Sequence, residues 1–144
     1  MSETIVRRPS SAECPLVRSL VQTVVDETYG GLWALPPLHI DEEDWSLAWI
    51  AVARSEIAGM ILTDKERIGD LWVLRSFRGA GVGSALLAKG EAEIRVRGYR
   101  DARLRVVRSN TAAIAFYARH GWQAVGEFPH EHVPIAMVEM MKPV

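Results

Sequence analysis

Three glycines at alternate positions, Gly79, Gly81 and Gly83, stand between an apolar run and a helical pattern. Residues 68–74 read as a strand. Val82, Leu86, Leu87, Gly90 and Ile94 then recur on one face of a helix that ends near Gly98. A strand that runs through such a turn into a helix presents backbone rather than side chains. Glycine lets N–H groups approach a ligand with no Cβ in the way. The helix start adds unpaired donors and about half a positive charge. Together they form an anion site suited to a phosphate or diphosphate. Arg78 adds positive charge, and the Arg75 side chain divides evenly between phosphate and solvent. A Walker loop is excluded, because Gly83 is followed by Ser84 with no lysine between them. A Rossmann loop is excluded too. Its last small residue would fall on Ser84 or Leu86, and the preceding strands are not in β-α-β order.

The rest of the chain supplies a mixed sheet around that turn. Residues 5–8 suit a short first strand. Ser10 and Glu13 have capping-box spacing. Leu16, Val17, Leu20, Val21, Val24 and Val25 follow at helical period, and Gly30-Gly31 stops the helix. Residues 29–44 are irregular, with room for one short helix. Residues 49–53 and 57–63 read as a β-hairpin. Residues 102–107 alternate like a strand. Asn110 caps a helix that Gly121 ends. Two last strands, at residues 122–127 and 133–141, flank a loop holding Pro129, His130, Glu131 and His132. The fold class is α/β (α+β), with a mostly antiparallel mixed sheet of six to seven strands and about four helices.

The chain has 144 residues, which suits one domain over residues 1–144 with no need of disulfide staples. Lys plus Arg is 17 and Asp plus Glu is 18, so no bulk charge favours nucleic acid or membrane. Arg95, Arg97, Arg100, Arg103, Arg105 and Arg108 form a basic stretch without interleaved aromatics, which reads as a solvated face. No apolar run is long enough for a signal or a transmembrane span. The single cysteine, Cys14, reads as a small buried hydrophobe and, with the missing signal, points to a reducing cytoplasm. No Cys, His and acid spacing suggests a metal.

Two motifs carry a family resemblance. Arg78-Gly79-Ala80-Gly81-Val82-Gly83 resembles the R/Q-x-x-G-x-G/A signature of the GNAT acetyltransferases, and the flanking Leu71-Trp72-Val73 and Ser84-Ala85-Leu86-Leu87 agree. Asn110 to Trp122 resembles the family's N-x-x-A-x-x-F-Y-x-x-x-G-F element, with Ala113, Phe116, Tyr117 and Gly121 at the expected places. It departs in having Trp122 for Phe, and His120 where an apolar residue is commoner. The resemblance covers about residues 49–141. It implies a sheet splayed between its fourth and fifth strands. Acetyl-CoA would lie in the gap as cosubstrate. Its pantetheine would bond the backbone of Val73 and Arg75 beside Leu71 and Trp72. Its diphosphate would rest on the N–H groups of residues 78–84, with Asn110, Ala113 and Phe116 in contact.

The activity implied is transfer of an acetyl group to a primary amine, on a small molecule or a protein. An ammonium of pKa about 10.4 leaves roughly one amine in a few thousand nucleophilic near pH 7, so a base is needed. Tyr117, a phenol protonated at neutral pH, is the candidate acid for the departing thiolate within this motif, with an amphipathic packing residue as the alternative. Asp70, an acid in an apolar strand, needs a partner or a wet cleft. It is the candidate base and amine contact, or else a strand-end charge. Tyr29, Trp33 and Trp45 are acceptor-pocket candidates with core packing as the alternative, and His130, Glu131 and His132 are candidates for base or acceptor contact with a surface loop as the alternative. The acidic residues 41–44 hint at a cationic acceptor. A homodimer fits the resemblance. An acyl-CoA-binding regulatory module without catalysis is the alternative function.

Overall fold

The computed structural model describes residues 3–30, 43–131 and 133–144. The elements run β1 (Thr4–Arg7), α1 (Cys14–Tyr29), β2 (Trp49–Ala53), β3 (Glu56–Asp64), β4 (Arg67–Val73), α2 (Val82–Val96), β5 (Asp101–Val107), α3 (Thr111–Arg119), β6 (Gln123–Pro129) and β7 (Ala136–Pro143). The strands form one seven-stranded sheet in the order β1-β2-β3-β4-β5-β7-β6. Three α-helices are found among the described residues. The short helix expected near residues 29–44 falls largely outside them.

Helix α1 starts where the sequence placed it. The Ser10 N–H donates to Glu13 Oε1 at 2.8 Å, and a short 3-10 turn at Ser11–Glu13 leads into the α-helix. Gly30 closes it, its N–H donating to Asp26 O at 2.8 Å. The buried stripe is Val17, Leu20, Val21, Val24 and Val25. Leu16 belongs to the periodic pattern but is exposed, one position off the stripe. Cys14 is only half-buried, correcting the expectation of a core thiol; its Sγ lies 3.5 Å from Ser10 O.

The strand period of two sorts the sheet residues between two cores. Met60 and Leu62 pack with α1, Ile50 and Ala48, and Trp45 joins this layer. Ile61, Ala51 and Ala58 pack on the other side with Leu86, Leu87 and Ile94 of α2. Helix α2 sits close on the sheet because Gly90 has no side chain. A Cβ there would lie 2.5 Å from Ile61 Cδ1.

All neighbouring strands but one pair are antiparallel. The exception positions the site. β4 and β5 run parallel and are in register only at Arg67↔Arg103 and Ile68↔Leu104. Beyond Ile68 the two strands part. No described helix is long and apolar enough to cross a membrane. Much of the basic stretch is paired on the surface: Arg97 with Glu93, Arg105 with Glu139 and Arg108 with Glu127, at 3.0, 3.7 and 2.9 Å.

Candidate active site

The parting of β4 from β5 leaves one edge of β4 without a strand partner. The Leu74 N–H donates to Ala58 O on the β3 side at 2.9 Å. Antiparallel strands alternate the direction of their polar groups, so Leu71 and Val73 turn theirs toward the gap. Two cavities occupy it. One, of about 530 Å³, is lined by Leu71, Trp72 and Val73, by the turn residues Arg78, Gly79, Gly81, Val82, Gly83 and Ser84, and by Asn110, Ala112, Ala113, Phe116, Tyr117, Arg119 and His120 on and around α3. The other, of about 240 Å³, is lined by Tyr29, Asp70, Leu71, Trp72, Asn110, Ala113, Tyr117 and His130, with walls from Ile68, Leu104, Arg105, Val106, Ile135 and Met137. Leu71, Trp72, Asn110, Ala113 and Tyr117 belong to both.

The first cavity combines a glycine turn, a helix start and arginine side chains. Gly81 precedes α2 at φ +83°, a conformation that disfavours a side chain. The first α-helical acceptor is Gly81 O, from Ala85 N at 3.0 Å. The N–H groups of Val82, Gly83 and Ser84 therefore have no partner within the helix. Gly83 is needed for closeness: a Cβ there would meet the Phe116 ring at 3.3 Å. Arg78 and Arg119 line the cavity, and among its described lining residues there is no carboxylate.

The second cavity has the opposite character. Asp70 is only 9% exposed, and its Oδ1 accepts from Trp72 Nε1 at 3.0 Å. Burial pushes its carboxyl up to about 6; the Trp72 bond opposes the shift and the charge of Glu43 adds to it. Tyr117 is buried and packs edge-on against Phe116 and Trp122. Burial holds its phenol well above the usual range, with Tyr29 and Asp70 adding to the effect. Tyr29 meets Trp72 edge-to-face at 6.1 Å, and its hydroxyl accepts from Asn110 Nδ2 at 2.9 Å. Asn110 Oδ1 caps α3 through Ala113 N at 3.1 Å. One amide thus starts α3 and ties it to the end of α1 across the gap.

Most of the predicted residues come together here, and some do not. Arg75 lines neither cavity. It leaves the strand for a 3-10 turn at Arg75–Phe77, and its exposed guanidinium lies 3.7 Å from Glu27. Ala80 sits exposed between two lining glycines. Trp45 is a core residue under α1 and not a wall of the site. Of the acidic run, Asp44 caps a 3-10 turn at Ser46 N, and Glu43 acts on Asp70. Trp33 and His132 lie outside the described residues. The sequence motifs assign no role to His120 or Arg119, yet both line the first cavity. The available signal was the four-residue spacing from Phe116 to His120, which places both on one helical face.

Comparison with known proteins agrees with this geometry. The model of the Acetyltransferase (GNAT) family matches residues 18–122. No curated protein matches the sequence. Among solved structures, Ard1 from Thermoplasma volcanium is 24% identical, with a TM-score of 0.79 over 98% of this chain and 97% of that one. The ribosomal-protein-alanine N-acetyltransferase of Brucella melitensis is 17% identical, with a TM-score of 0.78 over 97% and 99%. The PaiA N-acetyltransferase of Thermoplasma acidophilum, solved in complex with coenzyme A, is 19% identical, with a TM-score of 0.73 over 99% of each. A splayed sheet, a glycine turn feeding α2 and a matching family model over most of the length lead to one conclusion: the chain belongs to the acetyltransferase (GNAT) family.

Proposed function

We propose that the chain is an N-acetyltransferase that moves the acetyl group of acetyl-CoA directly to a primary amine. The observation that carries this reading is the position of Tyr117, which lines both the anion-binding cavity and the Asp70 cavity. In this reading the diphosphate of acetyl-CoA rests on the amides of Val82, Gly83 and Ser84 beside Arg78. The pantetheine lies along the free edge of β4 at Leu71 and Val73. The thioester then reaches Tyr117, and the amine enters from the Asp70 side.

The chemistry follows from these groups. The ammonium form of the acceptor loses a proton to the Asp70 carboxylate, whose raised affinity for protons suits a base working near neutral pH, and becomes a neutral amine. The nitrogen forms a bond to the acetyl carbonyl carbon. The Val73 N–H supports charge on the carbonyl oxygen. The C–S bond breaks, the Tyr117 hydroxyl gives its proton to the departing sulfur, and the second proton leaving the nitrogen restores the phenol while Asp70 returns its own to solvent. A phenol held above its usual pKa is fully protonated at working pH and available to donate. The products are an amide and CoA with a free thiol. Tyr29 and His130 complete the acceptor wall, and the acid there favours a cationic acceptor. Solved relatives include one named for a ribosomal-protein alanine, so an acceptor amine carried on a protein belongs with small amines in this reading.

The test is thermal stabilisation by acetyl-CoA, CoA and NAD, followed by thiol release across a panel of amines. Stabilisation by both CoA forms, together with release that needs an amine, supports the proposal. Stabilisation without release from any amine makes the chain an acyl-CoA-binding module instead. No stabilisation by either CoA form overturns the reading.

A further inference from the structure

The anion cavity contains a hydrogen-bonded pair that no backbone requirement explains. Ser84 is the third residue of α2, and His120 closes α3. Ser84 Oγ lies 2.9 Å from His120 Nε2, and both line the cavity. The other ring nitrogen, Nδ1, lies 2.8 Å from Phe116 O. A carbonyl only accepts, so Nδ1 carries a hydrogen in every state of the ring. The Phe116 ring, 4.6 Å away, flanks the imidazole.

This fixes what Nε2 does. In neutral His120 it is a bare lone pair, and the Ser84 hydroxyl donates to it. The serine then turns only lone pairs toward the cavity, the wrong polarity for a phosphate oxygen. In the imidazolium, Nε2–H donates to Ser84 Oγ instead. The hydroxyl hydrogen is released, and the cavity gains one donor and one positive charge beside the free amides of α2.

The charged neighbours set the direction of the coupling. Arg78 on the turn and Arg119 beside the ring line the same cavity. Lys142, whose chain passes Gly121, is paired with Glu91 at 2.6 Å. Among the described lining residues no carboxylate faces the ring, so nothing there offsets an imidazolium until an anion arrives. A bound diphosphate supplies that anion.

We propose that His120 is a positioning residue for the cosubstrate, taking up a proton as the diphosphate binds and thereby turning the Ser84 hydroxyl into a phosphate donor. The inference rests on the reading that the glycine turn holds the diphosphate of CoA. By reciprocity, if binding takes up a proton, lower pH tightens binding.

The test is calorimetry with 3′-dephospho-CoA between pH 5.5 and 8.5. Its diphosphate does not titrate in this range, whereas the phosphomonoester of CoA does. The wild type is expected to bind about fivefold or more tightly at the acid end. Heats in buffers of different ionisation enthalpy are expected to report net proton uptake. His120→Gln keeps a side chain able to bond Ser84 but cannot become charged, and its affinity is expected to be flat with pH. Ser84→Ala is expected to weaken acid-side binding and reduce the slope, and Ser84→Thr to restore both. A wild type that binds without a pH slope, or a His120→Gln variant that keeps the full slope, overturns the role of His120 and leaves the diphosphate site standing. No binding of dephospho-CoA at any pH overturns the diphosphate assignment itself, and the inference with it.

Discussion

On one side of Tyr117 the described cavity lining holds Arg78, Arg119, His120 and the bare amides of a helix start, with no carboxylate. On the other side it holds Asp70, which shares its surroundings with Tyr29 and His130; the one arginine there, Arg105, lies 3.7 Å from Glu139. The same parting of β4 from β5 opens both spaces, so the backbone does not distinguish them. Side chains and one helix terminus do. The first space carries positive charge and helix-start amides and the second a carboxylate, which under the proposed function would receive an anion and a cation respectively. Tyr117 lies between them because Asn110 starts α3 at the gap and Phe116 holds the helix against Gly83. Under the proposed function, one gap with opposite electrostatics at its two ends would serve both substrates, with Tyr117 between them.

The largest effect is expected at Tyr117, the residue that both cavities share. Tyr117→Phe removes one oxygen from a buried ring, and kcat is expected to fall about 100- to 1000-fold. The KM for acetyl-CoA is expected to stay within about threefold, because the substitution leaves the glycine turn and the start of α2 unchanged. Steady-state thiol release with a saturating amine measures both. A full rate at every pH would leave Tyr117 as packing alone.

Asp70→Asn tests the second side. Transfer is expected to drop about 100-fold. The acid limb of kcat/KM, expected near pH 6 in the wild type, is expected to vanish. Stability is expected to move the other way. Below pH 3.8 the carboxyl is protonated in folded and unfolded chains alike, and its burial carries no charge penalty. Between 3.8 and about 6 the folded chain keeps a proton that the unfolded chain gives up, so stability falls as pH rises. Above that window a cost of about 2–3 kcal/mol is in place. The variant, which cannot ionise, is expected to melt above the wild type at pH 8, with the gap closing below about pH 4. Equal melting curves at pH 8 would mean that Asp70 is hydrated and not buried in the working protein.

Two glycine changes sharpen the first side by smaller amounts. Gly83→Ala pushes a methyl to 3.3 Å from the Phe116 ring, at the wall of the cavity proposed to hold CoA. Affinity for CoA is expected to weaken about tenfold, roughly 1.4 kcal/mol, with amine KM unchanged. Gly81→Ala meets nothing within 4 Å, so only its φ of +83° opposes it. The expected loss is about 1 kcal/mol of stability, read as a lower Tm. A binding loss larger than for Gly83→Ala would reverse the roles assigned to the two positions.

How far the sequence revealed these features follows from how local their causes are. The glycine turn was legible because glycine acts within its own few residues, and the strand before it and the helix after it announce themselves by period. The Asn110 cap was legible for the same reason. Contacts that depend on how the sheet opens were not. Asn110 to Tyr29 spans 81 positions, and Ser84 to His120 spans 36. Neither distance is implied by either motif. Trp45 reads as a pocket aromatic or a core aromatic until α1 is seen to cover it. Arg75 has the charge for a phosphate, but the chain bends into a 3-10 turn there and aims it at Glu27.

The short register between β4 and β5 has a consequence for the resting chain. A sheet normally shields its amides from solvent by pairing both edges of every inner strand. Here the Leu71 and Val73 amides sit on an inner strand yet face the gap with no partner strand, since β4 and β5 pair only at Arg67↔Arg103 and Ile68↔Leu104. They are expected to trade their hydrogens for deuterium in the empty protein far faster than Met60 or Ile61 on the neighbouring strand. A thioester laid along that edge would slow them, making these two positions a built-in gauge of occupancy.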